Sequence, residues 1–381
     1  MNTITLLQPP RIVFGNGCVV NCVEIFTQRH AKRVLLVTSK SVRPQITFII
    51  DALKKAGCEV VECRPVPPEP TREFFETVLA EAQAEKIDSV LAIGGGSAID
   101  IAKLIAALSR SPQKIGDVFG INLLSSRELP LVCLPTTAGT GAEVSPNAIL
   151  LDTADELKKG VISPHLVPDA AFIDPLLTLS VPPSVTAATG LDALTHCIEA
   201  YANKFAHPIT DGYALRGIQL IAANLLAAVN DGKNLEARAA LALGSLYGGL
   251  CLGPVNTAAV HALSYPLGGR FHIAHGVANA LLLPPVLRFN FSAAPERYAE
   301  ISVALGVTRN GSALTTAEHG VDFLSQLSHA CGVPQTLSAL NIPRAAIPAM
   351  AKSAMQVQRL LKNNLRPVTE ADAVKIYEAT F

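Results

Sequence analysis

Asp192 and His196 stand four residues apart in the stretch GLDALTHCIE, which runs from Gly190 to Glu199. On a helix that spacing puts both side chains on one face, where a carboxylate and an imidazole can close on a single cation. A second stretch, HALSYPLGGRFHIAHG, begins at His261 and also holds His272 and His275. Pro266 followed by Gly268 and Gly269 reads as a turn that swings the flanking imidazoles back toward the helix. One carboxylate with two or three imidazoles suits a first-row divalent ion such as Fe²⁺ or Zn²⁺. Ca²⁺ and Mg²⁺ prefer all-oxygen ligands. Singly, each residue reads as well as a helix cap or a core histidine. As a set in so apolar a neighbourhood, they read as a metal site.

The elements that must carry such a site fall into two halves. In the first, apolar runs of strand length alternate with helical patterns. Arg11–Gly17 reads as a short edge strand and turn, and Arg33–Thr38 as a strand buried on both faces. A helix over Ile46–Ala56 closes at Gly57, and Glu59–Cys63 is the next strand. PVPPEP, residues 65–70, is too rich in proline for either and reads as loop. Thr71 starts a helix lasting to about Lys86, followed by the strand Ser89–Ile93. This alternation predicts a parallel α/β sheet. The last strand runs into GGGSAIDIAK, where glycines admit an anion and the following helix aims its N-terminal amides at it. The next strand, Leu129–Leu134, ends in PTTAGTGAE. Either loop alone reads equally as a tight strand–helix turn. Two at the carboxyl edge of one sheet read as a nucleotide pyrophosphate site.

The last strand ends near Ala170–Asp174, and beyond Pro182 only Ala/Leu-rich helical segments follow. The expected architecture is therefore a Rossmann-like α/β dinucleotide-binding domain over 1–180 and an all-α metal-binding domain over 181–381. The nearly uncharged Ala239–Val255 falls short of a membrane span and reads as a buried helix beside the metal site. Thr369 reads as an N-cap.

GLDALTHCIEAY and HALSYPLGGRFHIAHGVANA closely resemble the iron-containing (group III) alcohol dehydrogenases, and the likeness extends over essentially the whole chain. By position, the resemblance implies metal ligands at Asp192, His196, His261 and His275, and so selects His275 over His272. GGGSAIDIAK and PTTAGTGAEVSPNA look like the family's cofactor segments. They imply diphosphate contacts at Gly95, Gly96 and Ser97, with Asp100 in the same segment. Thr136, Thr137 and Thr140 are implied toward the phosphates and nicotinamide ribose, and Asn147 and Lys158 along the cofactor cleft. For Lys158 and Lys159 the plainer alternative is a solvated surface pair. The implied chemistry is hydride transfer between a small alcohol or aldehyde and NAD or NADP, assisted by Fe²⁺ or Zn²⁺ acting as a Lewis acid.

Two positions depart from the family pattern. Many members carry a histidine four residues after the third ligand, and here that position is Tyr265. Tyr265 or His272 is then the candidate for relaying the alcohol proton. Ser-Tyr-Pro at this place also resembles the hydroxyacid–oxoacid transhydrogenase branch. Second, Ser39 stands where NAD-preferring members often have an aspartate, so NADP is expected to be tolerated. A maleylacetate reductase-like member working without metal is the other alternative, opposed by the intact Asp192 and His261. Dehydroquinate synthases share the architecture but need a basic cluster, and none lies near the histidines.

The chain's balance narrows the partners. Lys plus Arg equals Asp plus Glu at 31 each, with no basic block, so nucleic acid is not expected. No charged leader followed by an apolar stretch opens the sequence, and the eight cysteines form no CxxC pair. A cytoplasmic enzyme with free thiols, independent of membranes and forming a homodimer or larger homo-oligomer, is expected.

Overall fold

The chain is described from a computed structural model covering residues 3–381. It divides into two compact units: residues 7–137 with 141–179, and residues 180–381 with the short segments up to Leu6 and Ala138–Thr140.

The first unit is built on β1 (Arg11–Phe14), α1 (Cys22–Gln28), β2 (Arg33–Thr38), α2 (Thr47–Lys55), β3 (Glu59–Glu62), α3 (Arg72–Ala84), β4 (Ser89–Gly94) and α4 (Gly96–Leu108). It continues through α5 (Ile115–Val118), β5 (Gly120–Ile121), β6 (Leu131–Pro135), β7 (Asn147–Asp152), β8 (Leu157–Ile162) and β9 (Ala170–Ile173). Six strands form one sheet in the order β1-β9-β6-β4-β2-β3, every pair parallel. The central strands β4 and β6 are buried throughout, and only Arg33 of β2 is partly exposed. Helices on both faces demand that of them, and it explains why they read as unbroken apolar runs. Thr71 caps α3, its hydroxyl accepting from the Phe74 N–H at 3.2 Å. The register pairs Ile93 with Thr38 and Gly94 with Pro135, so the ends of β2, β4 and β6 lie side by side. At this edge are Ser39, the Gly95–Ser97 turn and Thr136–Thr137.

A second sheet departs from the sequence expectation. β7 and β8 form an antiparallel hairpin, with β5 added parallel to β8. Beneath it Lys103, fully buried on α4, donates from Nζ to the carbonyls of Ser145 and Asn147 at 2.7 and 2.8 Å. Burial lowers the pKa of this ammonium while the Asp100 charge opposes the shift. Lys103→Met leaves two carbonyls without a donor and should cost about 1–3 kcal/mol for each group orphaned. A thermal melt unchanged from wild type would contradict the brace.

The second unit is helical: α6 (Pro183–Tyr201), α7 (Pro208–Asn230), α8 (Leu235–Leu252), α9 (Ala259–Phe271), α10 (His275–Asn290), α11 (Pro295–Ala304), α12 (Ala313–Ala330), α13 (Ile347–Ala354), α14 (Gln358–Leu361) and α15 (Glu370–Glu378). α8 covers the expected buried segment. At Gly248 the helix runs so close to α6 that an added Cβ would lie 3.2 Å from the His196 Cβ. Among the described residues α7 alone is long and apolar enough to cross a membrane. Its Ala214, Ile218, Ile221, Leu225 and Ala228 are all buried in the helical core. Thr369 and Asp372 form a reciprocal cap on α15.

Candidate metal centre

Three helices of the second unit bring the ligand candidates together. α6 carries Asp192, His196 and Glu199 at i, i+4 and i+7, all buried on one face. His261 lies in the first turn of α9, and His275 is the first residue of α10. The turn expected at Pro266 is absent. α9 continues through Pro266 to Phe271, and the chain reverses only at His272, which has φ 54° in the left-handed region. The reversal, not the proline, returns His275 toward α6. It also requires Gly276, where an added Cβ would lie 2.0 Å from the Ala188 carbonyl oxygen.

Asp192 Oδ1 is the hub. It lies 3.6 Å from His261 Nε2, 3.6 Å from His275 Nε2 and 3.9 Å from His196 Nε2. The donor atoms of Asp192, His261 and His275 all fall within 4.8 Å of one another. A tetrahedral cation with bonds of about 2.0–2.2 Å separates its ligands by about 3.3–3.6 Å, so the spacing fits. His196 sits beside this triad, its ring stacked on that of His261 at 4.7 Å between centroids.

The backbone and a second carboxylate set which nitrogen each imidazole presents. Glu199 Oε2 lies 2.5 Å from His261 Nδ1, while its Oε1 accepts from the Val260 N–H at 2.6 Å. His196 Nδ1 faces the Gly139 carbonyl at 3.3 Å. Both contacts keep the proton on Nδ1 and turn the Nε2 lone pair toward Asp192. Asn279, one turn after His275, donates to Asp192 Oδ1 at 2.7 Å and brings the same Nδ2 to 3.1 and 3.2 Å from the Nε2 atoms of His261 and His275. Its Oδ1 is buried with no partner. Lone pairs thus converge on one buried point, which is the arrangement a cation requires.

The charges follow. Burial alone would raise the Asp192 carboxyl, but His196, His275 and His261 outweigh it and hold it well below the usual carboxylate range. Burial lowers His196 despite Asp192. Burial also works against His261, yet Glu199 and Asp192 on either side carry it up to about 10. A cation at this point displaces that proton.

Glu199 and Asn279 had no role in the sequence interpretation. The i+7 spacing from Asp192 and the i+4 spacing from His275 were the signals. Tyr265 is buried, its ring centroid 6.2 Å from that of His275, and its hydroxyl accepts from Arg359 Nη2 at 2.8 Å. His272 is exposed on the reversal.

In the α/β unit the predicted cofactor residues are dispersed along the sheet edge. Gly95 is the N-cap of α4, and an added Cβ there would meet Thr137 Oγ1 at 3.2 Å, so the turn is a cradle that a side chain would fill. The Thr136 N–H donates to the Gly94 carbonyl at 3.0 Å. Gly96 opens α4, and Ser97 Oγ accepts from the Glu69 N–H at 3.2 Å. Asp100 turns the other way, accepting from the Ile149 N–H at 3.0 Å, and burial pushes its carboxyl up to about 6. Ser39 Oγ lies 3.2 Å from Ser41 Oγ. Thr38 Oγ1 and Asn147 Oδ1 are buried without partners, polar atoms that a bound ligand can satisfy. Lys158 is not a solvated surface lysine: it pairs with Glu69 at 2.8 Å and is nearly buried. Thr140 belongs with the helical unit.

A parallel sheet with a glycine-rich turn before a helix, and a helical unit with a carboxylate–imidazole cluster, mark an oxidoreductase with a dinucleotide half and a metal half. The model of iron-containing alcohol dehydrogenase matches residues 9–175, and that of the Fe-containing alcohol dehydrogenase family C-terminal region matches 186–381. Long-chain-alcohol dehydrogenase 1 of Geobacillus thermodenitrificans is 39% identical over 389 residues, covering 100% of this chain and 98% of that protein. The 1,3-propanediol dehydrogenase of Klebsiella pneumoniae is 37% identical over 380 residues, covering 98% of each. A solved 1,3-propanediol oxidoreductase superposes with a TM-score of 0.96 at 35% identity, covering 100% of both chains. The chain belongs to the iron-containing alcohol dehydrogenase family. It is an oxidoreductase acting on alcohols and aldehydes.

Proposed function

We propose that this chain is a metal-dependent, NAD(P)-linked dehydrogenase of small alcohols, working equally as an aldehyde reductase, with Asp192, His196, His261 and His275 holding Fe²⁺ or, in its place, Zn²⁺. The observation that carries the reading is the convergence of buried lone pairs around Asp192 Oδ1. The bound ion supplies Lewis acidity to an alcohol or carbonyl oxygen. Glu199 and the Gly139 carbonyl hold protons on the Nδ1 atoms of His261 and His196, which keeps both imidazoles neutral and correctly turned. In the α/β unit, Gly95, Gly96 and Ser97 offer the first amides of α4 to a diphosphate, with Thr136 and Thr137 beside them. Asn147 and Thr38 offer their unpartnered oxygens, and Lys158 adds charge.

Tyr265 is the better placed of the two proton-relay candidates. Arg359 occupies an acceptor lone pair of its hydroxyl, which leaves the O–H to donate, whereas His272 faces solvent. Assembly as a homodimer or larger oligomer is part of the same proposal. The exposed Phe205 and Ile209 at the start of α7 are the kind of surface such an interface covers. Free thiols at all eight cysteines agree with a cytoplasmic setting.

The test is a panel of alcohols and aldehydes assayed with NAD(H) and NADP(H), on protein stripped of metal and then reloaded with Fe²⁺ or Zn²⁺. Turnover that follows metal content supports the assignment. Full turnover in the stripped protein refutes it.

Cofactor choice is expected to be relaxed. Ser39 ends β2 with no carboxylate to oppose a 2′-phosphate. Ser39→Asp should cut NADP use and spare NAD, within the ~1–4 kcal/mol of a like-charge contact at about 4 Å. A strong wild-type NAD preference that the variant leaves untouched would place the determinant elsewhere.

A further inference from the structure

We propose that Arg359 makes this enzyme selective for alcohols and aldehydes that carry a carboxylate, short hydroxy acids and their semialdehydes; the inference rests on the dehydrogenase reading above. Arg359, on α14, is half-buried, and its guanidinium donates to the Tyr265 hydroxyl at 2.8 Å while its carbon lies 5.7 Å from the centre of the Tyr265 ring. The far side of that ring is 6.2 Å from His275, centroid to centroid. Tyr265 thus links the guanidinium to a ligand of the metal centre, over a span that a short aliphatic chain can bridge.

The cation has no balancing anion. Among the described residues no carboxylate lies within 4.0 Å of Arg359, in contrast to Arg288, Arg297 and Arg309, each of which has one. From Phe323 to Thr369 the chain carries no aspartate or glutamate at all, but it carries Arg344, Lys352, Arg359, Lys362 and Arg366. α9, which supplies Tyr265, has no acidic residue either. Removing a guanidinium from bulk water without a counter-charge is costly, so proteins generally pair such groups. A tyrosine hydroxyl accepts only one of its five N–H donors and leaves the fork able to take a carboxylate side-on. An uncharged long-chain or diol substrate gains nothing from this group.

The experiment compares 4-hydroxybutyrate with 1,4-butanediol, which share a chain and differ at one end, using the metal-loaded enzyme and its preferred nicotinamide cofactor. Binding of 4-hydroxybutyrate is measured in parallel by calorimetry. The wild type should favour the hydroxy acid in kcat/KM. Arg359→Met should collapse that ratio by on the order of 10- to 100-fold, mainly through KM, and Arg359→Lys should restore part of it. Equal losses on both substrates would reduce Arg359 to a support for Tyr265 and overturn the proposal. A loss confined to the KM of the cofactor would assign the guanidinium to a nucleotide phosphate and also overturn it. Turnover of butanediol without preference for the acid overturns this inference alone. Tight, Arg359-dependent binding of the acid with no turnover of either compound would instead overturn the dehydrogenase reading and keep this one. If the acid is neither bound nor turned over and the diol is inert too, both fall.

Discussion

Asp192→Ala is expected to empty the metal centre. Its Oδ1 is the one atom within 3.9 Å of the Nε2 of all three imidazoles, so no other ligand can compensate for its loss. Removing a group that only orients a ligand typically lowers metal affinity 10- to 100-fold, and removing the sole carboxylate should exceed about 100-fold. Turnover should fall with it, because the remaining neutral imidazoles leave a divalent ion at its full charge and weakly held. Elemental analysis after dialysis, on protein whose circular dichroism matches wild type, reads the effect directly. A variant that retains one ion per chain would sink the ligand assignment.

Glu199→Gln is expected to have the next largest effect, although Glu199 itself is not among the proposed ligands. The carboxylate satisfies two donors at once, the His261 Nδ1–H at 2.5 Å and the Val260 N–H at 2.6 Å. An amide has one oxygen to offer. If that oxygen stays with Val260, the amide N–H₂ faces His261 and drives its proton from Nδ1 to Nε2, toward the metal. If it stays with His261, a buried backbone N–H is left opposing another donor. Either way metal affinity should fall about 10- to 100-fold, the range for second-layer partners of metal-bound histidines. A competitive chelator titration gives the affinity, and a melt of the metal-free protein separates it from simple destabilisation. Affinity within twofold of wild type would show that Glu199 is only a packing residue.

Much of the scaffold was legible because its physics is local. β2, β4 and β6 announce themselves as apolar runs, since a strand covered on both faces has no polar side to show. The Asp192–His196 pair is likewise a local fact of helix periodicity. What escaped depends on contacts remote in sequence. Pro266 looks like a turn, but a proline costs a helix less where the missing N–H is tolerated by its packing, and here α9 runs on to Phe271. His272 takes the left-handed conformation that the reversal needs, and nothing in its neighbours announces it. The β7–β8 hairpin was hidden because Lys158 and Lys159 make β8 look like solvated loop, whereas both lysines are used in ion pairs with Glu69 and Asp152. Glu199 finds its partner on another helix, 62 positions away, so only the fold reveals that contact.

The ligand set spans α6, α9 and α10, and the stretch from His196 to His261 closes a loop of roughly 65 residues, for which a covalent cross-link would remove about 4 kcal/mol of chain entropy from the unfolded state. A bound cation is therefore also a clasp. It ties together helices whose own contacts, with α10 pressed onto α6 at Gly276, leave little slack for either to drift. Demetallation and unfolding then become two views of one event, and the working lifetime of the catalyst is set by how tenaciously it keeps its ion.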